Sequence, residues 1–191
     1  HANTTMKNHF REDYTSWHLV NYVDEDGSVR RKYTVQGYSD DSAWARGQAW
    51  ALYGYTMMYR ETGLQEYLQQ AVNVGNMILP YLPEDGVAYW DFNDPAIPDT
   101  YRDASAAAVM ASAYLELSGY VGKKQKMKYK ETAEKIIRTL ASDDYLCAPG
   151  ECHGFLLKHS VGSIPHGSEI DVPLTYADYY FLEALIRYKN L

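Results

Sequence analysis

The strongest pattern along the chain is helical. Leu64, Tyr67, Leu68, Ala71, Val72, Gly75, Ile78 and Leu79 recur at three- and four-residue spacing until Pro80 and Pro83 interrupt them, which predicts an amphipathic helix with one apolar stripe. A helix before it carries Ala45, Ala49, Leu52, Tyr53, Thr56 and Tyr59 on its small or apolar positions. Asp40, Asp41 or Ser42 can cap it, and Gly63 stops it. A third helix starts near Asp103 in "RDASAAAVMASAYLELSGY", where the alanines permit close packing and Gly119 offers a C-cap. A fourth covers residues 124–141, with Tyr129, Ala133, Ile136, Ile137 and Leu140 on one face. The last is "YADYYFLEALIRY", Tyr176 to Tyr188. Ahead of the helices, residues 17–35 alternate on either side of an Asp-Gly turn at Asp26–Gly27 and read as a β-hairpin. "GFLLKHSVGS" reads as a short strand. Paired helices with short links and long loops at one end suggest an α/α toroid or an α-solenoid.

Composition narrows this picture. The 191 residues make one domain or a large part of one, and 46% hydrophobic content is enough for a substantial core. No run reaches the roughly 18 apolar residues of a membrane span. A net charge of -7 argues against nucleic acid as a partner. The one basic run, "GKKQKMKYK", reads as a solvated helix start. The opening "HANTTMKNHF" reads as the middle of a longer protein. Cys147 and Cys152 in "CAPGEC" can close a small disulfide loop or remain free thiols, and with His153 alone beside them they do not make a zinc site. Cytoplasm and periplasm both fit.

The candidate chemistry lies in "QGYSDDSAWARGQAW", Gln36 to Trp50. Trp44 and Trp50 flank Arg46 at a helix start. Indoles stack on the C–H faces of sugars, and a guanidinium at a helix N-terminus suits a carboxylate. The local alternative pairs Arg46 with Asp40 or Asp41. Asp40, Asp41, Asp91, Asp94, Asp103, Glu169, Asp171 and Asp178 sit near loops or helix starts, where sugar chemistry could recruit an acid. For Asp40, Asp41 and Asp103 the simpler role is helix capping, and for Asp178 a buried hydrogen bond. His18 lies on the first hairpin strand. No nucleophile elbow, phosphate loop or dinucleotide loop is present, and no His/Cys spacing suits a metal.

The stretches "QGYSDDSAWARGQAWALYGYT", "AYWDFNDPAIPDTYRDASAAAVMASAYLELS", "LKHSVGS" and "YADYYFLEALIRY" keep their order along nearly the whole chain. In these it resembles the unsaturated glucuronyl hydrolases, glycoside hydrolase family 88. The resemblance implies an (α/α)6 barrel, of which this chain is the C-terminal half as a single domain with a small hairpin near its start. It implies release of a 4,5-unsaturated uronic acid from lyase-generated oligosaccharides, without cofactor or metal. An aspartic acid protonates C4, water adds at C5, and the hemiketal collapses. The resemblance puts His18, Gln36, Trp44, Arg46 and Trp50 in the substrate pocket, and Ser163 in a loop that meets the rest of the sugar. The family's catalytic aspartates fall upstream of this chain, so the catalytic residues are unknown here and the chain alone is expected to be inactive. It should need its missing half, or a second copy, to cover an open apolar edge. Where sulphate-preferring members carry Ser-x-x-Ser-x-Lys, this chain has Ser163, His166 and Ser168 and no lysine, which implies weak preference for sulphated units. Two alternatives stand beside this reading: an unsaturated rhamnogalacturonyl hydrolase, and a non-catalytic carbohydrate-binding α/α module.

Overall fold

The computed structural model describes residues 1–191. In chain order it contains α1 (Ala2–Asn8), β1 (Leu19–Tyr22), β2 (Val29–Tyr33), α2 (Ala45–Thr62), α3 (Gln65–Ile78), α4 (Ala104–Ser118), α5 (Lys123–Leu140), β3 (Ser160–Ser163), β4 (Ser168–Val172) and α6 (Thr175–Lys189). No helix is long and apolar enough to cross a membrane.

α4 is the centre. Fourteen of its fifteen residues are buried, because its alanines let neighbours approach on every side. α2 lies against one flank, α6 against another, and α5 folds back on it, while α3 folds back on α2. Close approach is visible at Gly75 of α3, where an added Cβ would meet Leu52, Tyr114 and Leu117 side chains at 3.3–3.5 Å. Tyr114 is fully buried there and donates to the Gly75 carbonyl at 2.7 Å. The result is two helical hairpins and a further helix, an arc of a six-hairpin toroid.

α2, α4 and α6 run parallel, and polar contacts hold them at both ends. At the C-terminal end Glu116 of α4 accepts Arg60 of α2 (2.9 Å) and Arg187 of α6 (2.6 Å). At the N-terminal end Arg46 of α2 reaches Asp103 at the start of α4. Asp103 caps α4 as the sequence suggests, accepting the Ser105 N–H at 3.0 Å.

Asp40 and Asp41 do not cap α2, whose N-cap is Trp44 without a side-chain bond. A turn closed by Ser42 N–H to the Ser39 carbonyl comes first. The chain then stays extended through Trp44, which bridges to Asp91, and the Ala45 N–H takes the Trp90 carbonyl at 3.0 Å. The loop after α3 therefore satisfies this helix start. Asp40 instead accepts the Thr34 N–H at 2.9 Å and Arg31 at 3.1 Å, and these hold its carboxyl below the usual carboxylate value.

The first hairpin pairs Leu19 with Tyr33 and Val20 with Lys32, and turns through Gly27 at φ +69°. Two elements lie outside the sequence expectations. α1 is short, and its anchors are remote: Tyr55 donates to the Ala2 carbonyl at 2.9 Å and Tyr67 to Asn3 at 2.6 Å. β4 pairs with β3 although Glu169 and Asp171 adopt positive φ, which breaks regular alternation. Cys147 and Cys152 are joined by a disulfide. Asp178 is the hydrogen-bond partner expected of it, accepting the N–H groups of Leu156 and Leu157 at 2.9 and 3.0 Å.

Candidate functional site

A cavity of about 870 Å³ opens between α1, the first hairpin and α2. Its α2 wall is Gly47, Trp50, Ala51, Gly54, Met57 and Met58, one face at helical spacing with glycines keeping it open. Across from it stand Phe10, Trp17, His18 and Gln36, and Trp44 lies at the junction. Four of the six residues singled out in the sequence therefore meet here: His18, Gln36, Trp44 and Trp50.

Each is positioned by identifiable contacts. His18 stacks on Trp44 with ring centroids 4.5 Å apart. Its Nδ1 receives the backbone N–H of Val35 at 3.1 Å and of Gln36 at 3.2 Å. Two N–H groups aimed at one ring nitrogen require it to be unprotonated, so the ring is neutral and Nε2 carries the hydrogen. Burial, and then the Arg46 charge, lower the His18 pKa below its ordinary value. Gln36 is fixed by its amide, which donates to the Gly162 carbonyl at 3.0 Å. Trp50 packs edge-on against Tyr180 of α6 at 5.1 Å.

Arg46 and Ser163 do not join the cavity lining. Arg46 is 3% exposed. Its guanidinium binds Asp103 at 2.9 Å, Ser105 at 3.3 Å and the carbonyls of Val161 and Gly162, the latter at 2.8 Å. It also lies 4.5 Å from the Trp44 ring and 5.3 Å from that of Tyr176. Asp103 thus balances the charge of Arg46, whose Nη1 and Nη2 are engaged within the fold. The local pairing with Asp40 or Asp41 fails, since the partner is Asp103. Arg46 forms the cavity's foundation, tying the starts of α2 and α4 to β3. Ser163 is buried, with its hydroxyl 2.7 Å from His166 Nδ1.

No carboxylate lines the cavity. Asp91 is fully buried and accepts Ser42 Oγ (2.7 Å), the Tyr38 N–H (2.9 Å) and the Asn93 N–H (3.0 Å). Asp94 accepts Trp90 Nε1 and Thr100 Oγ1, both at 2.6 Å, and the Ala96 N–H at 2.9 Å. Burial pushes Asp94 upward, but those three hydrogen bonds outweigh it and hold the carboxyl below its ordinary value. Both aspartates fix the loop after α3, and Asp94 is the reverse of a proton donor with a raised pKa. Phe10, Trp17 and Tyr55 also wall the cavity; no sequence signal marked them, since nothing in their spacing separates them from core. No cluster of three His, Cys, Asp or Glu side chains is placed to hold a metal ion.

Comparison with known proteins gives a consistent result. No family model matches the chain. It is 50% identical over 193 residues to the unsaturated glucuronyl hydrolase of Formosa agariphila, covering all of this chain and 48% of that protein. It is 34% identical to the enzyme of the same name from Bacillus sp. strain GL1, covering 51% of it. Among solved structures, an unsaturated glucuronyl hydrolase specific for heparin superposes with a TM-score of 0.96 at 52% identity, over 100% of this chain and 51% of that one. A mutant unsaturated glucuronyl hydrolase from Streptococcus agalactiae, complexed with dGlcA-GalNAc6S, superposes at 0.83 with 35% identity, over 96% of this chain and 49% of that one. The chain spans about half the length of the relatives it matches.

Two outcomes are expected of the site. Asp103→Ala strands a buried guanidinium and should cost about 3–5 kcal/mol, measured as a lower urea midpoint at unchanged slope; a loss under about 1 kcal/mol would mean that the two carbonyls compensate Arg46 without it. For His18 the folded pKa lies below the unfolded 6.5. The unfolded chain therefore takes up its proton first as pH falls, and the stability from neutral His18 is present above 6.5 and lost below it, down to the folded value. Denaturation midpoints should fall between pH 7 and pH 5 by less in His18→Gln than in the parent protein. Equal falls would contradict a neutral His18.

Proposed function

We propose that this chain, which belongs to the unsaturated glucuronyl hydrolases and spans about half the length of those it matches, forms the sugar-holding part of an enzyme that hydrates the C4=C5 double bond of a terminal unsaturated uronic acid. The observation that carries this reading is a cavity with three indoles and a neutral imidazole in its walls and no carboxylate. Flat, partly apolar sugar rings suit such walls. Gln36 and the His18 Nε2–H supply hydrogen bonds to hydroxyls, the ring carboxylate or the attacking water. Protonation of C4 demands an acid, and none faces the cavity from residues 1–191. In this reading the acid comes from the part of the protein that the relatives possess beyond the span matched here.

The same part would cover α6. Tyr179, Leu182 and Ile186 follow one another at helical spacing and are 60%, 47% and 61% exposed. An apolar stripe of this kind on a toroid helix calls for a neighbouring helix. The rest of the ring is the natural occupant, since it would also close the cavity against α1 and α2.

For the substrate, the heparin-specific relative is 52% identical, while the relative holding dGlcA-GalNAc6S is 35% identical. That difference favours heparin-derived disaccharides. The full-length protein should consume an unsaturated heparin disaccharide, followed as loss of ultraviolet absorbance, faster than a chondroitin or rhamnogalacturonan one. Residues 1–191 alone should consume none. A full-length protein inert on all three, or an active isolated chain, would reject the proposal.

A further inference from the structure

Charge is unevenly placed in this chain. Its net charge is -7, yet six of its ten lysines lie in α5. Five of them, Lys123, Lys124, Lys126, Lys128 and Lys130, fall in the first eight residues of that helix. Nothing local favours them there. The helix dipole disfavours cations in the first turns. Lys124 with Lys128, and Lys126 with Lys130, are like charges four residues apart, which weakens a helix further. No carboxylate pairs with any of the six lysines, and the one ion pair within the helix joins Arg138 to Glu134. A run of charge set against its own helix, in an acidic protein, points to a partner outside the fold.

One row of these lysines is open. Lys124, Lys128 and Lys135 share a face of α5 and are exposed. They span about 16 Å along the helix. Lys128 and Lys135 border a recess of about 500 Å³ between α5 and the segment after α3, where Leu82 and Pro83 form part of the far side. Thr132 lies between them, its hydroxyl bonded to the Lys128 carbonyl at 2.9 Å. Glu131 is the one acid of the recess. Glu134 and Arg138, by contrast, lie next to Tyr188 of α6. The lysine row therefore faces the segment after α3, away from the α6 stripe assigned to the rest of the ring. No residue of α5 lines the cavity beside α2.

We propose that the Lys124–Lys128–Lys135 face of α5 is an interaction surface for an acidic polysaccharide. The three ammonium groups meet successive sulphates or carboxylates of one extended chain, and Leu82 and Pro83 offer an apolar patch to a sugar face. The inference goes beyond the proposed function and rests on it for the identity of the polyanion: an enzyme acting on lyase products is held beside the chains that yield them. A nucleic acid fits less well, since its stiff phosphate array would reach past this single row to the surface of a protein of net charge -7. The contacts are exposed, so their strength should depend steeply on salt.

The test uses the full-length protein, with long heparin chains, desulphated heparin, duplex DNA and phosphatidylserine vesicles as probes. Kd is read by calorimetry over a series of salt concentrations. The triple variant Lys124→Gln, Lys128→Gln, Lys135→Gln should bind heparin about tenfold or more weakly and lower the slope of log Kd against log salt by roughly two to three. The triple variant Lys124→Arg, Lys128→Arg, Lys135→Arg should keep both. Neither should change kcat or KM on an unsaturated heparin disaccharide. Desulphated heparin bound as tightly as heparin assigns the contact to carboxylates, and weaker binding assigns it to sulphates; both support the surface. An unchanged heparin Kd in the Gln variant, no heparin binding by the parent, or DNA or vesicles bound as tightly as heparin would overturn the inference. A raised KM for the disaccharide would also overturn it, by placing these lysines in the site. If the parent turns over no disaccharide, the proposed reaction fails, and the heparin Kd values still decide on α5.

Discussion

A buried guanidinium cannot stand alone in a protein interior, and the arrangement of this site follows from how Arg46 is satisfied. An uncompensated ion there would cost several kcal/mol. Asp103 neutralises the charge, and the Val161 and Gly162 carbonyls take further donors. Asp103 is also the cap of α4 and accepts the Val161 N–H at 3.3 Å. One ion pair thus fixes the starts of α2 and α4 and the path of β3. Glu116 does the corresponding work at the other end, between Arg60 and Arg187. With both ends held, α2 presents one constant face to the cavity.

In the proposed function that face holds the sugar, and the reacting acid comes from elsewhere. Trp44 and His18 are held as a stacked pair, with the Arg46 charge behind them. The charge helps to keep His18 neutral and able to donate from Nε2. Gln36 is held by Gly162, the residue whose carbonyl also receives Arg46. Rigid positioning of this kind is what a binding wall requires. The carboxylates nearby are absorbed in capping, loop closure and the ion pair, so the proposed function assigns proton transfer to groups outside residues 1–191.

Long periodic elements were legible in the sequence because burial alone specifies them. The stripe of α3 and the Tyr129–Leu140 face of α5 are examples, and the Asp26–Gly27 turn announced its hairpin. α1 was not legible, because its hold comes from Tyr55 and Tyr67, more than fifty residues away. The ion-pair partner of Arg46 was not legible for the same reason. Asp40 and Asp41 are close in sequence, whereas Asp103 lies 57 residues on and reaches Arg46 only when α4 packs against α2. Four of the six candidate residues share one cavity. The exceptions, Arg46 and Ser163, have side chains whose partners lie within the fold.

Arg46, so placed, ties the starts of α2 and α4 to β3 beside the cavity. A crystal structure of the full-length protein with an unsaturated heparin disaccharide would decide the matter. It should show a sugar ring against Trp44, Trp50 and His18, Arg46 still bonded to Asp103, and a carboxylic acid from outside residues 1–191 facing C4. A sugar carboxylate seated on Arg46 with Asp103 displaced, or an acid from this chain at C4, would contradict it.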